Sequence, residues 1–270
     1  MKIFHLNCGL INPVGGRLIN RNPARVVCHC ILIEKDNQLV LIDTGVGTAD
    51  IKNPKRLGPM HYILNFRKDL NDTAAYQIKK LGYKTEDVKH IILTHMDLDH
   101  TGGLPDFPNS SVHVYKPEYL AATKPETLKE KHRYRRCHFS HSPKWVVHSK
   151  ISEDLWYGLR CIKNTQNLPK DIIMIPLTGH TRGHCAIAIK NSDGWLLHAG
   201  DAYYYDKQMY EKPSCTPGFR IFQHISHMDR REALKKLNIL RDVVKSNCEE
   251  IKIISSHDPS EYESLSLTRI

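Results

Sequence analysis

Short apolar runs separated by polar turns dominate the first part of the chain and predict β-strands. Residues 26–34 and 38–43 are rich in Val, Ile and Leu and are separated by Lys-Asp-Asn, which predicts a β-hairpin. A third apolar run covers residues 88–94. It follows residues 72–81, whose apolar positions recur at helical spacing behind a possible N-cap at Asp72.

The second half of the chain alternates further strand candidates with helical segments. The strand candidates are residues 111–115, 172–177, 185–189, 195–199 and 251–255, and a helix is predicted over residues 229–245. Residues 116–170 are the least periodic and predict an insertion over one end of the sheets. We therefore expect a layered α/β protein in which residues 1–270 form a single domain.

The composition is that of a folded protein, and the distribution of its charge does not favour a nucleic-acid partner. The chain is 40% hydrophobic and carries a formal net charge of +10, which raises the question of a nucleic-acid partner. The densest basic stretch, residues 129–136, contains a glutamate and matches no nucleic-acid module. We read it first as a solvated basic loop and second as an attraction for an anionic substrate, so nucleic-acid binding is not favoured.

The N-terminal residues and the cysteines indicate where the protein works. His5 and Asn7 interrupt the first apolar stretch, so no secretory signal is predicted, and no apolar run is long enough to span a membrane. The eight cysteines show no C-x-x-C spacing. Reduced thiols and a cytoplasmic location are therefore expected.

Four potential metal ligands fall within six residues directly after a predicted strand. They lie in the sequence T-H-M-D-L-D-H-T-G-G-L, which begins at Thr94 and supplies His95, Asp97, Asp99 and His100. Packing these groups together at a strand end requires joint desolvation, and a metal cation is the usual compensation. This cluster therefore predicts a metal site.

The cluster resembles the H-x-H-x-D-H signature of the metallo-β-lactamase superfamily. Further motifs occur in the order of that family, each after a predicted strand: D-T-G at 43–45, T-G-H-T-R-G-H at 178–184, H-A-G-D at 198–201 and S-S-H-D at 255–258. The resemblance extends over most of the chain. It implies an α/β fold of the metallo-β-lactamase type, a four-layer αββα sandwich with these loops at one edge of the sheets.

The resemblance also implies a ligand set for two divalent metal ions. The first metal would be bound by His95, Asp97 and His184, the second by Asp99, His100 and His257, and both by Asp201. Asp43 would orient the signature loop without binding metal. In the T-G-H-T-R-G-H element the last histidine is taken as the ligand, so His180, like His198, is expected to be structural.

Position 97 departs from the signature, which has its second histidine there. A carboxylate can still bind metal, but three carboxylate ligands and one hydroxide would balance two divalent ions, where the usual signature would leave one net positive charge. The first metal should then be a weaker Lewis acid than in a site with the usual signature. Zinc remains the favoured metal, although oxygen donors allow iron or manganese to compete.

The resemblance implies hydrolysis by a hydroxide that bridges the two metals and attacks a carbonyl. Asp99 would act as general acid and base. The motifs are most similar to the N-acyl-homoserine lactone lactonases, in which a tyrosine contacts the substrate carbonyl three residues after the bridging aspartate. Tyr204 occupies that position and could stabilise an oxyanion, or it could simply pack within its loop.

The favoured substrate is therefore a small-molecule lactone or ester. The insertion of residues 116–170 is expected to line the pocket that binds it. Phe139, Trp145 and Trp156 could contact an acyl chain there. One alternative is a phosphodiesterase or another hydrolase of the superfamily. Another is a weakly active ligand-binding member whose first metal site is altered by Asp97. The sequence makes no prediction of oligomeric state.

Overall fold

A computed structural model of the chain describes residues 1–16, 23–162 and 168–266. The strands of this part form a six-stranded, a four-stranded and a two-stranded sheet. The six-stranded sheet has the order β1 (Lys2–Ile11), β2 (Val26–Lys35), β3 (Gln38–Ile42), β4 (Val88–Ile92), β5 (Ser111–Tyr115), β6 (Lys144–His148). The two-stranded sheet pairs β7 (Ile151–Trp156) with β8 (Leu159–Ile162), and the four-stranded sheet consists of β9 (Ile172–Pro176), β10 (Cys185–Asn191), β11 (Gly194–His198) and β12 (Ile251–Ile254).

The predicted hairpin of β2 and β3 is confirmed. The two strands pair antiparallel, and the pair that closes the turn is Lys35 with Gln38. Asp36 and Asn37 have φ of 51° and 60°, the left-handed conformation that a two-residue type I′ turn requires. From β3 to β6 the strands run parallel, so their carboxyl ends meet at one edge of the sheet.

Helices connect these strands and cover the outer faces of both large sheets. They are α1 (Thr48–Lys52), α2 (Met60–Leu64), α3 (Ala74–Lys80), α4 (Leu98–Thr101), α5 (Lys116–Thr123), α6 (Leu128–Arg133), α7 (Pro217–Ser226), α8 (Arg230–Ser246) and α9 (Pro259–Ser266). Among the described helices, none is long and apolar enough to cross a membrane. Helix α3 is capped by Thr73 rather than by the predicted Asp72, whose carboxylate instead accepts from Arg67.

The predicted four-layer αββα sandwich is confirmed by how the strand residues alternate. On β2, Ile31 and Ile33 pack between the two large sheets with residues of β9 and β10, whereas Leu32 faces the other way, into the cluster that contains Ile78 of α3. Leu237 of α8 packs with other residues on the outer face of the four-stranded sheet. Because side chains of a strand alternate between faces, each sheet has one face toward the other sheet and one toward helices.

Residues 116–170 are only partly an insertion. Strand β6 extends the six-stranded sheet, because it pairs parallel to β5 from Ser111 opposite Lys144 to Tyr115 opposite His148. The aromatic residues predicted to contact an acyl chain also lie elsewhere. Phe139 and Trp145 pack against the helix-covered face of the six-stranded sheet, and Trp156 packs against that of the four-stranded sheet. They contribute to the outer layers of the core.

Candidate metal centre

The motif residues converge because the loops that carry them follow the ends of neighbouring strands. The signature loop follows β4, and the loops with His180, Asp201 and His257 follow β9, β11 and β12. Strands β11 and β12 run parallel, which brings the last two loops to one sheet edge. The sequence thus predicted correctly that these loops meet.

Asp43 fixes the start of the signature loop. Its carboxylate accepts hydrogen bonds from the backbone N–H of Thr94 at 2.8 Å, from the Thr94 hydroxyl at 2.7 Å and from His100 Nδ1 at 2.8 Å. Asp43 itself has φ of 54°, a conformation uncommon outside glycine. Because Nδ1 is held in this way, His100 presents Nε2 to the site.

One set of donor atoms, here called the second donor group, consists of atoms of Asp99, His100 and His257 together with Asp201 Oδ1. His100 Nε2 and His257 Nε2 each lie 3.2 Å from Asp201 Oδ1. His257 Nε2 lies 3.6 Å from Asp99 Oδ2. The Nδ1–H of His257 donates to the carbonyl of Val27 at 2.7 Å, so Nε2 is again the free nitrogen.

A neighbouring set, the first donor group, consists of His95 Nε2, Asp97 Oδ2, His180 Nε2 and Asp201 Oδ2. The Asp97 oxygen is 3.3 Å from His95 Nε2 and 3.2 Å from His180 Nε2. The Asp201 oxygen is 3.8 Å and 3.4 Å from the same two nitrogens. Asp201 therefore gives one carboxylate oxygen to each group.

His184, which the sequence reasoning assigned to the first metal, does not fit this geometry as a ligand. Its Nδ1–H donates to the carbonyl of Leu177 at 2.9 Å, and its Nε2 accepts the backbone N–H of Asp201 at 2.9 Å. Neither nitrogen is free to bind a cation. Burial lowers the pKa of His184 to about 3, in keeping with a neutral ring that positions the Asp201 backbone.

His180 takes the place that was expected for His184. Its Nδ1 lies 3.1 Å from His227 Nδ1. When His180 Nδ1 carries the ring proton, it donates a hydrogen bond to His227, and His180 Nε2 is then unprotonated and has a lone pair for a metal. Burial, together with the Arg133 charge, lowers the pKa of His180 well below its usual range. The ring is therefore neutral, as a metal ligand must be. The sequence offered one signal for His180, its place in the same motif.

The two donor groups fit divalent cations. Within the described residues, His95 Nε2, His100 Nε2 and Asp201 Oδ1 are buried and make no hydrogen bond, which is costly for polar atoms unless a cation satisfies them. Four ligands arranged tetrahedrally at about 2.0–2.1 Å from zinc lie roughly 3.3 Å from one another. The donor pairs described above are 3.2–3.8 Å apart, and Asp99 Oδ1 lies 3.9 Å from His100 Nε2, so these pairs are near that spacing.

Arg133, from the basic stretch 129–136, packs against the first donor group with its side chain only 11% exposed. Its Nε and Nη2 each donate to one oxygen of Asp97 at 2.5 Å, and Nη1 donates to the carbonyl of Ser226 at 2.5 Å. Nη2 also lies 2.8 Å from His180 Nε2. Burial alone would raise the pKa of Asp97, but Arg133 and His95 outweigh it and hold that pKa well below its usual range. The expectation of a solvated loop therefore fails for Arg133.

Tyr204 points its hydroxyl into the centre rather than only packing in its loop. The hydroxyl donates to Asp201 Oδ2 at 2.9 Å, and the ring stacks on His257 with centroids 5.4 Å apart. Burial and the Asp201 charge raise the pKa of Tyr204 well above its usual range, so the phenol keeps its proton. It remains a hydrogen-bond donor at the edge of both donor groups.

Comparison with known proteins identifies the family. Residues 23–160, just over half of the chain, match the sequence model of the metallo-beta-lactamase superfamily. The chain belongs to this superfamily. A probable metallo-hydrolase of Mycobacterium tuberculosis (strain ATCC 25618 / H37Rv) is 35% identical over 263 residues, which cover 97% of this chain and 82% of that protein. The recognition made from the motifs is confirmed, and the chain is a metal-dependent hydrolase of the superfamily.

More distant members of the superfamily include lactonases. An N-acyl homoserine lactonase of Bacillus thuringiensis subsp. kurstaki is 24% identical over 246 residues, covering 90% of this chain and 84% of that protein. A structure of an N-acyl homoserine lactone hydrolase, with N-hexanoyl-L-homoserine bound at its catalytic metal center, matches with a TM-score of 0.69 at 22% identity, over 97% of this chain and 95% of that one. The dizinc quorum-quenching lactonase AidC matches with a TM-score of 0.64 at 17% identity, over 95% and 87% of the two chains. These structures support the fold.

Proposed function

We propose that this chain is a dinuclear hydrolase that opens a lactone or a related ester. The observation that carries the proposal is the shared carboxylate of Asp201. Its Oδ1 lies 3.2 Å from His100 Nε2 and His257 Nε2, while its Oδ2 lies 3.4 Å from His180 Nε2. A carboxylate that gives one oxygen to each of two groups of metal-ligand atoms is the arrangement that a two-metal hydrolytic site needs.

His95, Asp97 and His180 would hold the first metal, Asp99, His100 and His257 the second, and Asp201 would bind both. This set keeps six of the seven ligands expected from the sequence and exchanges His184 for His180. Bound divalent ions, for which we propose zinc, supply Lewis acidity and an activated water for attack on a carbonyl. The dizinc lactonase AidC supports the choice of zinc. The carboxylate of Asp97 is also compatible with iron or manganese, so both metals are included in the experiment.

We assign the two remaining roles to Tyr204 and Asp99. The Tyr204 hydroxyl, a protonated donor at the centre, can turn from Asp201 toward the substrate oxygen on which negative charge develops. The Asp99 side chain is 13% exposed, compared with 5% for Asp201, and therefore faces the solvent side of the centre. From there its carboxylate can deliver a proton to the leaving alcohol of a lactone.

An apolar wall beside the centre supports an acyl substrate. Tyr204 belongs to a buried cluster that also contains Leu98 and Phe219, and Phe222 packs against it. The Tyr204 ring contacts Phe219 and Phe222 with centroid distances of 6.3 Å and 5.3 Å. We therefore assign the contact with an acyl chain to residues of α7 in place of Phe139, Trp145 and Trp156. The lactonase relatives are named for N-acyl homoserine substrates, which supports a substrate with an acyl group.

The experiment combines metal analysis with a substrate panel. The full chain is loaded with zinc, manganese or iron, its metal content is measured, and it is assayed on lactones of graded acyl length, a thioester and a phosphodiester. We expect about two metals per chain and hydrolysis of acyl lactones, both of which require Asp201, because the shared carboxylate joins the two sites. Asp201→Asn is the matched variant and should lose activity while remaining folded.

The panel also contains the results that would overturn the proposal. Hydrolysis of the phosphodiester alone would assign the chain to the phosphodiesterase alternative. One metal or none per chain, with no hydrolysis under any loading, would favour the ligand-binding alternative. Full activity of Asp201→Asn would exclude a mechanism that depends on the shared carboxylate.

A further inference from the structure

A buried thiol lies beside the second donor group. The Cys28 Sγ, a carboxylate oxygen of Asp99 and a ring nitrogen of His257 lie within 4.8 Å of one another. Cys28 is 2% exposed, and His257 is 3% exposed. The sequence motifs assigned Asp99 and His257 to the second metal, but they gave Cys28 no role.

Strands β1 and β2 place the thiol in this position. The Val27 carbonyl of β2 accepts the Nδ1–H of His257 at 2.7 Å, and the next residue along the strand is Cys28. On β1, the pairing with β2 shifts register between Asn7 and Leu10, and Gly9 lies in this bulge with φ of 155°. A Cβ at Gly9 would lie 3.0 Å from Cys28 Sγ, so the glycine leaves the thiol its space.

Cys30 provides a natural contrast on the same strand. It lies two residues from Cys28 and therefore on the same face, about 7 Å further along β2. Cys30 is 1% exposed and packs in the apolar cluster that contains Cys8 and Leu41. No group of possible metal ligands found among the described residues includes Cys30. Cys28 also belongs to an apolar cluster, so the two buried thiols differ in that only Cys28 has a carboxylate oxygen and an imidazole nitrogen within 4.8 Å.

We propose that Cys28 binds the second metal as a thiolate, beside Asp99 and His257. This inference rests on the proposed function, because it adds a ligand to one of the two metal sites. On binding, the S–H bond breaks, a metal–sulfur bond forms and the proton passes to solvent, without electron transfer. Sulfur is a soft donor that prefers zinc, cobalt(II) or cadmium to manganese. Each site contains two carboxylates, so the added sulfur is what should make the second site select zinc more strongly than the first.

Cobalt(II) reports the sulfur ligand directly. The metal-free full chain is titrated with cobalt under anaerobic, reducing conditions, and near-ultraviolet absorption is followed together with the visible bands of the metal. We expect a thiolate-to-cobalt charge-transfer band in the wild type. Cys28→Ala should lose this band, whereas Cys30→Ala should retain it. Circular dichroism of each variant checks that it is folded.

Zinc X-ray absorption of the wild type gives a second measurement that needs no variant. A zinc–sulfur distance of about 2.3 Å is expected in the zinc-loaded chain. Cobalt or zinc bound at about two equivalents with only nitrogen and oxygen ligands would overturn the role of Cys28 while leaving the dinuclear site intact. A charge-transfer band that persists in Cys28→Ala would also overturn it. Failure to bind either metal would instead contradict the proposed function.

Discussion

The contact between Asp97 and Arg133 leads to a quantitative prediction, because it joins a proposed ligand to a buried guanidinium. The Asp97 side chain is 17% exposed and that of Arg133 is 11% exposed, and two hydrogen bonds of 2.5 Å connect them. Removing one member of a well-buried pair costs about 3–5 kcal/mol, since the other charge is left without a partner. Because both side chains keep some contact with solvent, we expect about 3 kcal/mol, the lower end of that range.

The test is a double-mutant cycle on the metal-free protein. Asp97→Asn, Arg133→Met and the double variant are unfolded in urea, and the free energy of unfolding is compared with that of the wild type. Each single variant should be destabilised by about 3 kcal/mol, and the double variant by much less than the sum, because neither charge is then left alone. Lys131→Met, at an exposed position of the same helix α6, is the control and should change stability little.

The coupling energy decides whether the pair is formed as described. A coupling of about 3 kcal/mol would support a buried pair, whereas a value within about 0.5 kcal/mol of zero is typical of exposed ion pairs. A small coupling would refute the reasoning, because Arg133 would then be solvated and could not offset the charge of Asp97. Equal destabilisation by Lys131→Met would show that the loss comes from the helix and not from the pair.

Three further predictions concern the other residues of the centre and the core. His180→Ala should lose about half of the bound metal, whereas His184→Asn should keep most of it, and atomic absorption on both variants distinguishes the two histidines as ligands. Tyr204→Phe should lower lactone turnover roughly ten- to a thousandfold at unchanged metal content, and an unchanged rate would return Tyr204 to a packing role. Burial, with His148 and His90, lowers the pKa of His113 to about 3. In the unfolded chain this histidine has an ordinary pKa of about 6.5 and binds a proton at higher pH than in the folded protein, so the free energy of unfolding should fall as pH drops from about 6.5 toward 3. His113→Leu should reduce this pH dependence, measured by urea unfolding, by up to about 1.4 kcal/mol per pH unit. An unchanged pH dependence would contradict the lowered pKa of His113.

The strands and the signature loop were predictable because their signals are local. Strands β2 and β3 are rich in Val, Ile and Leu, and β4 ends in Ile91 and Ile92, shortly before the ligands of the signature. Strand β1 was not predicted. Its apolar residues are interrupted by His5 and Asn7, whose partners lie on β2: His5 Nδ1 is 2.8 Å from His29 Nε2, and Asn7 accepts from the backbone of Cys28. When polar residues of a strand find their hydrogen-bond partners on a neighbouring strand, they interrupt the apolar pattern, and the sequence of that strand alone resembles that of a loop.

The choice between His180 and His184 depended on contacts that no local pattern contains. Both residues follow β9 in one motif, and both carry the same chemistry. What separates them is the carbonyl of Leu177 and the backbone N–H of Asp201, which occupy both nitrogens of His184. The partners of His180 Nε2 are the side chains of Arg133, Asp97 and Asp201, which can rearrange around a cation, whereas backbone groups hold both nitrogens of His184.

Arg133 changes the conclusion that the sequence suggested for Asp97. Counting ligands alone, the extra carboxylate would cancel the net positive charge that the usual signature leaves with two divalent ions and a hydroxide. The guanidinium contributes one positive charge at 2.5 Å from both oxygens of that carboxylate, which restores the usual balance. Because the two residues are 36 positions apart in the chain, only the folded structure reveals the compensation. A carboxylate paired in this way donates less negative charge to a metal, so we infer that the first site of this chain is closer in Lewis acidity to an all-histidine site than its sequence indicates.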